Sequence, residues 1–289
     1  MVQNTGTAIL TILFPLLLAA LPHSSNQSVY RNFKDATIDW TRMEITATGS
    51  APVARDALSY PRLLQTAYEN ARSAAKERLF RTLLNLRIDR RQDLRTLLVN
   101  RKRMRFKLHN NVLQQAFELV PPYRKGRRVY TSWQLKLTGP DSFYSMLPQL
   151  YPFFSVPPAT TFVYKGGFNY TGLVVDARHL KVKPSTGSKI YNDRGTLLYG
   201  PSFINRVRYV NSGHILYLPR FTSPLLKQRA GHRFLYIHAA SIRTETGSDL
   251  VLFARDADRI LSSTTLKKAF RHCRVVVICN SDSTTTASR

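Results

Sequence analysis

Seven histidines, two cysteines and seventeen carboxylates are the stock from which any chemistry of this chain would be drawn. Cys273 and Cys279 flank a short apolar run. On one extended strand they stand roughly 20 Å apart at ~3.3 Å per residue. A disulfide needs Cα atoms within about 7 Å. No bridge is therefore expected, and both read as buried free thiols. His232 and His238 could share a strand face, and His272 neighbours Cys273. A metal site needs three or four convergent ligands, and the histidines show no H-x-x-x-H or H-E-x-x-H spacing. No metal and no cofactor are expected. Asp176, Asp256 and Asp258 are candidates for acid–base work. Asp256 more simply suits a helix N-terminus, and Asp176 more simply pairs with an arginine. The sequence has no G-x-S-x-G, no P-loop and no dinucleotide fingerprint, and Gly166-Gly167 stands alone. No nucleophile, base and orienter come together, so the chain reads as non-enzymatic.

Charge is the outlying property. The formal net charge is +26. Residues 26–150 and 151–289 each carry +13, so the excess is spread along the chain. Arginine outnumbers lysine 30 to 13, which suits bidentate contacts to phosphate and carboxylate. Two clusters stand out locally. Residues 87–107 hold nine basic residues against two aspartates, and Arg124-Lys125-Gly126-Arg127-Arg128 forms a second group. Arg101, Lys102, Arg103, Arg105, Arg124, Lys125, Arg127 and Arg128 are the candidate anion-binding residues. Their partner would be an anionic polymer, nucleic acid or an anionic membrane surface. The competing reading is a solvated helix face and an exposed turn.

Several elements would have to position these groups. Residues 8–21, AILTILFPLLLAAL, have the length of a signal-peptide core and are short for a membrane span. Residues 1–25 are expected to be a signal or anchor, although Met1–Thr7 carries no basic residue. Ile38, Trp40, Met43, Ile45 and Ala47 suggest a strand over 36–49, stopped by Gly49. A helix is predicted over 61–86, with a stripe of Leu64, Tyr68, Ala71, Ala75, Leu79, Leu83 and Leu86. Arg62, Arg72, Lys76 and Arg81 would lie on its far face. Phe106, Val112 and Leu113 begin another short helix, and a hairpin with a basic tip surrounds Gly126. Residues 140–161, rich in proline and aromatics, read as a connection between a domain at 29–139 and one at 162–280.

In that second part, Leu173-Val174-Val175 is a buried strand ending at Asp176. Asn192-Asp193-Arg194-Gly195 is a hairpin turn. Val207–Val210 and His214–Tyr217 suggest a strand pair. Phe234–Ile242 alternates weakly, Leu250–Phe253 is a short strand, Asp256–Leu261 opens a helix and Val275–Ile278 is a buried strand. Residues 281–289 are expected to be a disordered tail. The fold class is α+β: two small packed parts with mixed or antiparallel sheets and few helices.

The wording of several segments adds a resemblance. TGLVVDARHL, KIYNDRG and LLYG, then GSDLVLFARDADRIL and CRVVVIC, with IDWTRMEITATGSA near the start, resemble blocks of the LPP20-lipoprotein and FlgT-like group of bacterial envelope proteins. His179 stands where that group's phrase has glycine, and no cysteine for lipid attachment follows residues 8–21. The resemblance spans roughly residues 36–280. It implies a periplasmic or cell-envelope protein with envelope or flagellar partners and a structural or assembly role.

Overall fold

The computed structural model describes residues 27–54, 61–152, 154, 163, 169–243 and 247–281. The apolar run at 8–21, Gly166-Gly167, most of 153–168 and residues 282–289 lie outside the described residues. The architecture is α+β, as the sequence predicts, with three sheets and eight α-helices among the described residues.

The first sheet contains β1 (Tyr30–Phe33), β2 (Ala36–Asp39), β3 (Glu44–Pro52), β4 (Phe117–Lys125) and β5 (Arg128–Lys136). Its order is β1-β2-β3-β5-β4, antiparallel throughout. The single strand expected at 36–49 is thus two strands of a hairpin. Asp39 accepts from the backbone N–H groups of Thr41 and Arg42, 2.9 Å each, which closes the turn that interrupts the alternation. Ile45, Ala47, Ala51, Val129 and Leu135 are buried, while Thr46, Thr48 and Ser132 are only half-buried. This inside–outside alternation is that of an antiparallel sheet with one covered face.

Helix α1 (Pro61–Leu84) covers that face. The predicted stripe points inward at Ala71, Ala75, Leu79 and Leu83. Gly49 does not stop a strand. A Cβ built there would lie 2.1 Å from the Ala71 carbonyl oxygen and 2.4 Å from the Ala75 nitrogen. Glycine is what lets helix and strand touch. Of the residues expected on the far face, Arg62 and Arg81 are exposed, whereas Arg72 and Lys76 reach the sheet. Arg72 forks onto Glu118 of β4 at 3.0 and 3.3 Å, and the Lys76 ammonium sits 4.2 Å from the Trp133 ring centroid. A five-stranded sheet is wide enough to reach the flanks of the helix that lies on it.

Two further helices follow, α2 (Leu94–Leu97) and α3 (Lys102–Gln115), before the β4–β5 hairpin. β4 is an edge strand, interrupted by register shifts around Pro121 and Pro122. Prolines and bulges at such an edge deter pairing with another chain. The proline- and aromatic-rich stretch does more than connect. It contains α4 (Phe143–Leu150), whose Phe143, Tyr144, Met146, Leu147 and Leu150 are buried.

The second part holds β6 (Leu173–Asp176), β7 (Ile190–Asn192), β8 (Leu197–Tyr199), α5 (Arg206–Ser212), β9 (Leu216–Leu218) and α6 (Pro224–Ala230). It continues with β10 (Leu235–His238), β11 (Ser241–Arg243), β12 (Asp249–Leu252), α7 (Ala254–Leu261), α8 (Thr264–Arg271) and β13 (Val275–Ile278). One sheet, β10-β6-β13-β9, is parallel throughout. The other, β11-β12-β7-β8, pairs β12 with β7 in parallel and the rest antiparallel. The segment at 207–210 is helix, not strand. The Asn205 side chain accepts from the N–H groups of Val207 and Arg208, and Gly213 at φ +64° ends the turn.

The two parts share one apolar core. It runs from Ile38, Trp40 and Leu135 through Tyr144 to Tyr209, Tyr217 and Val277. The Trp40 and Tyr217 rings meet edge-on at 6.1 Å, and the Tyr144 and Tyr209 rings lie 5.1 Å apart. Ser185, Thr186 and Ser188 are buried at the same junction. Thr186 donates to the Arg87 carbonyl through its backbone N–H and to the Ile88 carbonyl through its hydroxyl. Tyr209 and Tyr217 donate to Thr186 O and Ser188 Oγ, 2.8 Å each. The small polar segment after Pro184 therefore joins the two parts with satisfied polar groups.

Candidate functional site

Of the three carboxylates singled out in the sequence, Asp176 and Asp256 are held in ion pairs. Asp176 ends β6, a central strand of the parallel sheet, which is the end at which such sheets present ligand sites. Its carboxylate is saturated. Arg178 donates to it through its backbone N–H, its Nε and its Nη2, the last at 2.6 Å, and the Tyr236 hydroxyl donates at 2.6 Å. Burial works against ionisation here, but the Arg178 and Tyr236 hydrogen bonds outweigh it and hold the carboxyl well below the usual range. A carboxylate so held is a poor proton acceptor and a good structural lock. Asp256 lies in the first turn of α7 and pairs with Arg259 at 3.2 Å, and Asp258 is exposed on the same helix.

The histidines do not converge. His238 closes β10, whereas His232 lies in the loop before that strand, so the two share no strand face. His272 caps the end of α8. Among the described residues no three His, Cys, Asp or Glu side chains are placed to hold a metal ion. His214 is buried, its Nε2 3.0 Å from the Ser188 carbonyl oxygen, and burial depresses its pKa to about 3. Cys273 and Cys279 are unbridged and fully buried, on either side of β13. Burial pushes their thiols up to about 11 and about 12. Neither is a nucleophile in the folded chain.

The basic candidates form two separate groups. Arg124, Lys125, Arg127 and Arg128 surround the β4–β5 turn, with Gly126 at φ +61°, and all are exposed. Lys102, Arg103 and Arg105 lie in the first turns of α3, preceded by Arg101. Arg101 reaches the Leu150 carbonyl and Asn111 the Asp141 carbonyl, so α3 runs antiparallel beside α4. The far end of α3 meets Phe117, which pairs with Gln134, at the end of the hairpin away from its tip. With nine residues of β4 at ~3.3 Å each between them, tip and helix lie more than roughly 20 Å apart. Among the described residues none of the eight basic side chains is in an ion pair. Sequence reasoning passed over two neighbours of the α3 group. Phe106, read as the beginning of a short helix, is 67% exposed, and Val99 before the helix is 63% exposed. Helical phasing against Leu108 and Val112 would have placed Phe106 outside.

The second part also carries a family match. Residues 172–281 match the second domain of Treponema pallidum Tp0624. The Tp0624 match starts at the glycine before β6 and ends just past β13. It covers well under half of the chain. No curated protein matches the chain. The resemblance to LPP20-lipoprotein and FlgT-like proteins is thereby overturned. Its strongest phrases, from Gly172 of TGLVVDARHL through CRVVVIC, fall inside the Tp0624 match. They spell an apolar parallel strand ended by a carboxylate-locked turn, a hairpin turn and a second apolar strand. Both apolar strands, β6 and β13, are the inner strands of the parallel sheet, which accounts for their apolar wording.

Proposed function

We propose that this chain is an exported, non-catalytic binding protein that holds an anionic macromolecule against its basic surface. Export rests on the apolar run at 8–21. The flagellar assignment rested on the overturned resemblance and is not carried forward. Binding rests on one observation above the rest, the exposed and unpaired cations at the start of α3. The positive end of a helix dipole disfavours cations, and folding alone would favour Asp or Glu there. The first turn of α3 has no acidic residue. Lys102, Arg103 and Arg105 oppose the helix they sit on, which fits a role in holding something else. The non-catalytic reading is supported by Asp176, His214 and both thiols, each committed to the interior or to a saturated lock.

The test is binding of the full chain to heparin across a salt series. Contact of about four cations with the polymer predicts a log–log slope near −3 on a flexible polyanion. Affinity indifferent to salt, or no binding at low salt, overturns the reading.

A further inference from the structure

Resting on that reading, we propose that the turn before α3 and the outward side of its first half dock on an anionic lipid bilayer. Leu108 and Val112 point into the core. Lys102, Arg103, Phe106 and Lys107 fall on the opposite side of a 3.6-residue helix, with Phe106 four residues from Lys102 and three from Arg103. Leu113, seven residues on, is also exposed. Val99 and residues 101–104 line one shallow depression, Phe106 and Lys107 line the next, and Gln149 of α4 borders both. Two large exposed apolar side chains thus stand beside the cations, Val99 next to Arg101, Lys102 and Arg103, and Phe106 next to Lys107, with Asp141 the one carboxylate lining the depression at Phe106.

A polyanion in water would use the cations and leave Phe106 and Val99 wet. A nucleobase could stack on Phe106 but gives Val99 nothing. A bilayer takes both kinds of group, the apolar side chains entering the head-group boundary and the ammonium and guanidinium groups meeting lipid phosphate. Arginine and lysine stems also lie along such a boundary with their charges in the head groups. No helix among the described residues is long and apolar enough to cross a membrane, so the contact is interfacial.

The experiment measures binding of the full chain to phosphatidylcholine vesicles with and without 30% phosphatidylglycerol, to heparin and to a single-stranded oligonucleotide. The wild type is compared with Phe106→Ala, Val99→Ala and the double variant. Binding to the anionic vesicles is expected, with little to the neutral ones. Each apolar truncation should weaken vesicle binding several-fold and the pair about tenfold, since each side chain is half buried at the boundary. Heparin affinity and the unfolding midpoint should stay unchanged. Unchanged vesicle affinity in the double variant overturns the inference while heparin binding leaves the anionic-partner reading standing. Loss confined to the oligonucleotide points to nucleic acid and overturns it equally. Absence of binding to all the anionic probes removes both.

Discussion

Gly49→Ala should be among the most damaging single-methyl additions in the molecule. The added Cβ would lie 2.1 Å from the Ala71 oxygen, 2.4 Å from the Ala75 nitrogen and 2.7 Å from the Ala75 Cβ. Two of these atoms are backbone, so no side chain can swing away. Ordinary contact begins near 3.4 Å. The α1–β3 spacing must therefore open by about 1 Å, enough to forfeit a quarter to a half of each dispersion contact along the seam. That seam includes Ala67, Ala71, Ala75, Leu79 and Leu83. The cost should be about 3 kcal/mol, the upper end for overpacking. In a chain of this size, that is a fall of about 6–12 °C in melting temperature. Gly126→Ala is the control. It has φ +61° with nothing within 4 Å of the added methyl, and should cost only the ~1 kcal/mol of the left-handed conformation. Urea and thermal unfolding followed by circular dichroism would compare the two. Equal destabilisation by both changes would refute the close approach of α1 to β3.

Three further outcomes follow from the buried groups. His214 is held neutral with its pKa depressed to about 3, against about 6.5 unfolded, so the unfolded chain takes up the proton first as pH falls. Its contribution is complete above pH ~6.5 and declines below it. Between pH 7 and pH 5 the wild type should lose about 2 kcal/mol more than His214→Gln, and parallel stability curves for the two would contradict the burial. Asp176→Asn removes the charge that Arg178 and Tyr236 bind and should cost about 2–4 kcal/mol, read as a lower urea midpoint. No shift in that midpoint would show that Asp176 is not a structural lock. Cys273 and Cys279 should resist a thiol reagent at pH 8 until denaturant is added, and rapid labelling of the native chain would disprove their burial.

Much of the fold is legible where a local pattern decides it. The α1 stripe, the apolar runs of β6 and β13, and the Gly195 turn, with φ +84°, follow from period, burial and glycine chemistry. What escapes the sequence depends on neighbours distant in the chain. Val207–Val210 reads as a strand until the Asn205 cap and the Gly213 stop are weighed together. Gly49 reads as a terminator because Ala71 and Ala75, which it touches, come more than twenty residues later. Arg72 reads as free because Glu118 arrives on a strand that follows two intervening helices. The parallel order β10-β6-β13-β9 is invisible in strands of three or four residues. Charge was legible as an amount. Its division between the hairpin tip and the start of α3 required the path of β4.

The cations at the start of α3 are expected to bind the anionic partner. The most direct measurement is heparin affinity against salt for three variants of the full chain. One carries Lys102, Arg103, Arg105 and Lys107 as glutamine, the second Arg124, Lys125, Arg127 and Arg128, and the third Arg255, Lys268, Arg271 and Arg274. The α3 variant should lose the most affinity and show the shallowest salt slope, while unfolding at the same or a slightly higher temperature because an unfavourable dipole contact is relieved. Equal losses in all three variants would contradict the account and assign the attraction to the net charge of the whole molecule.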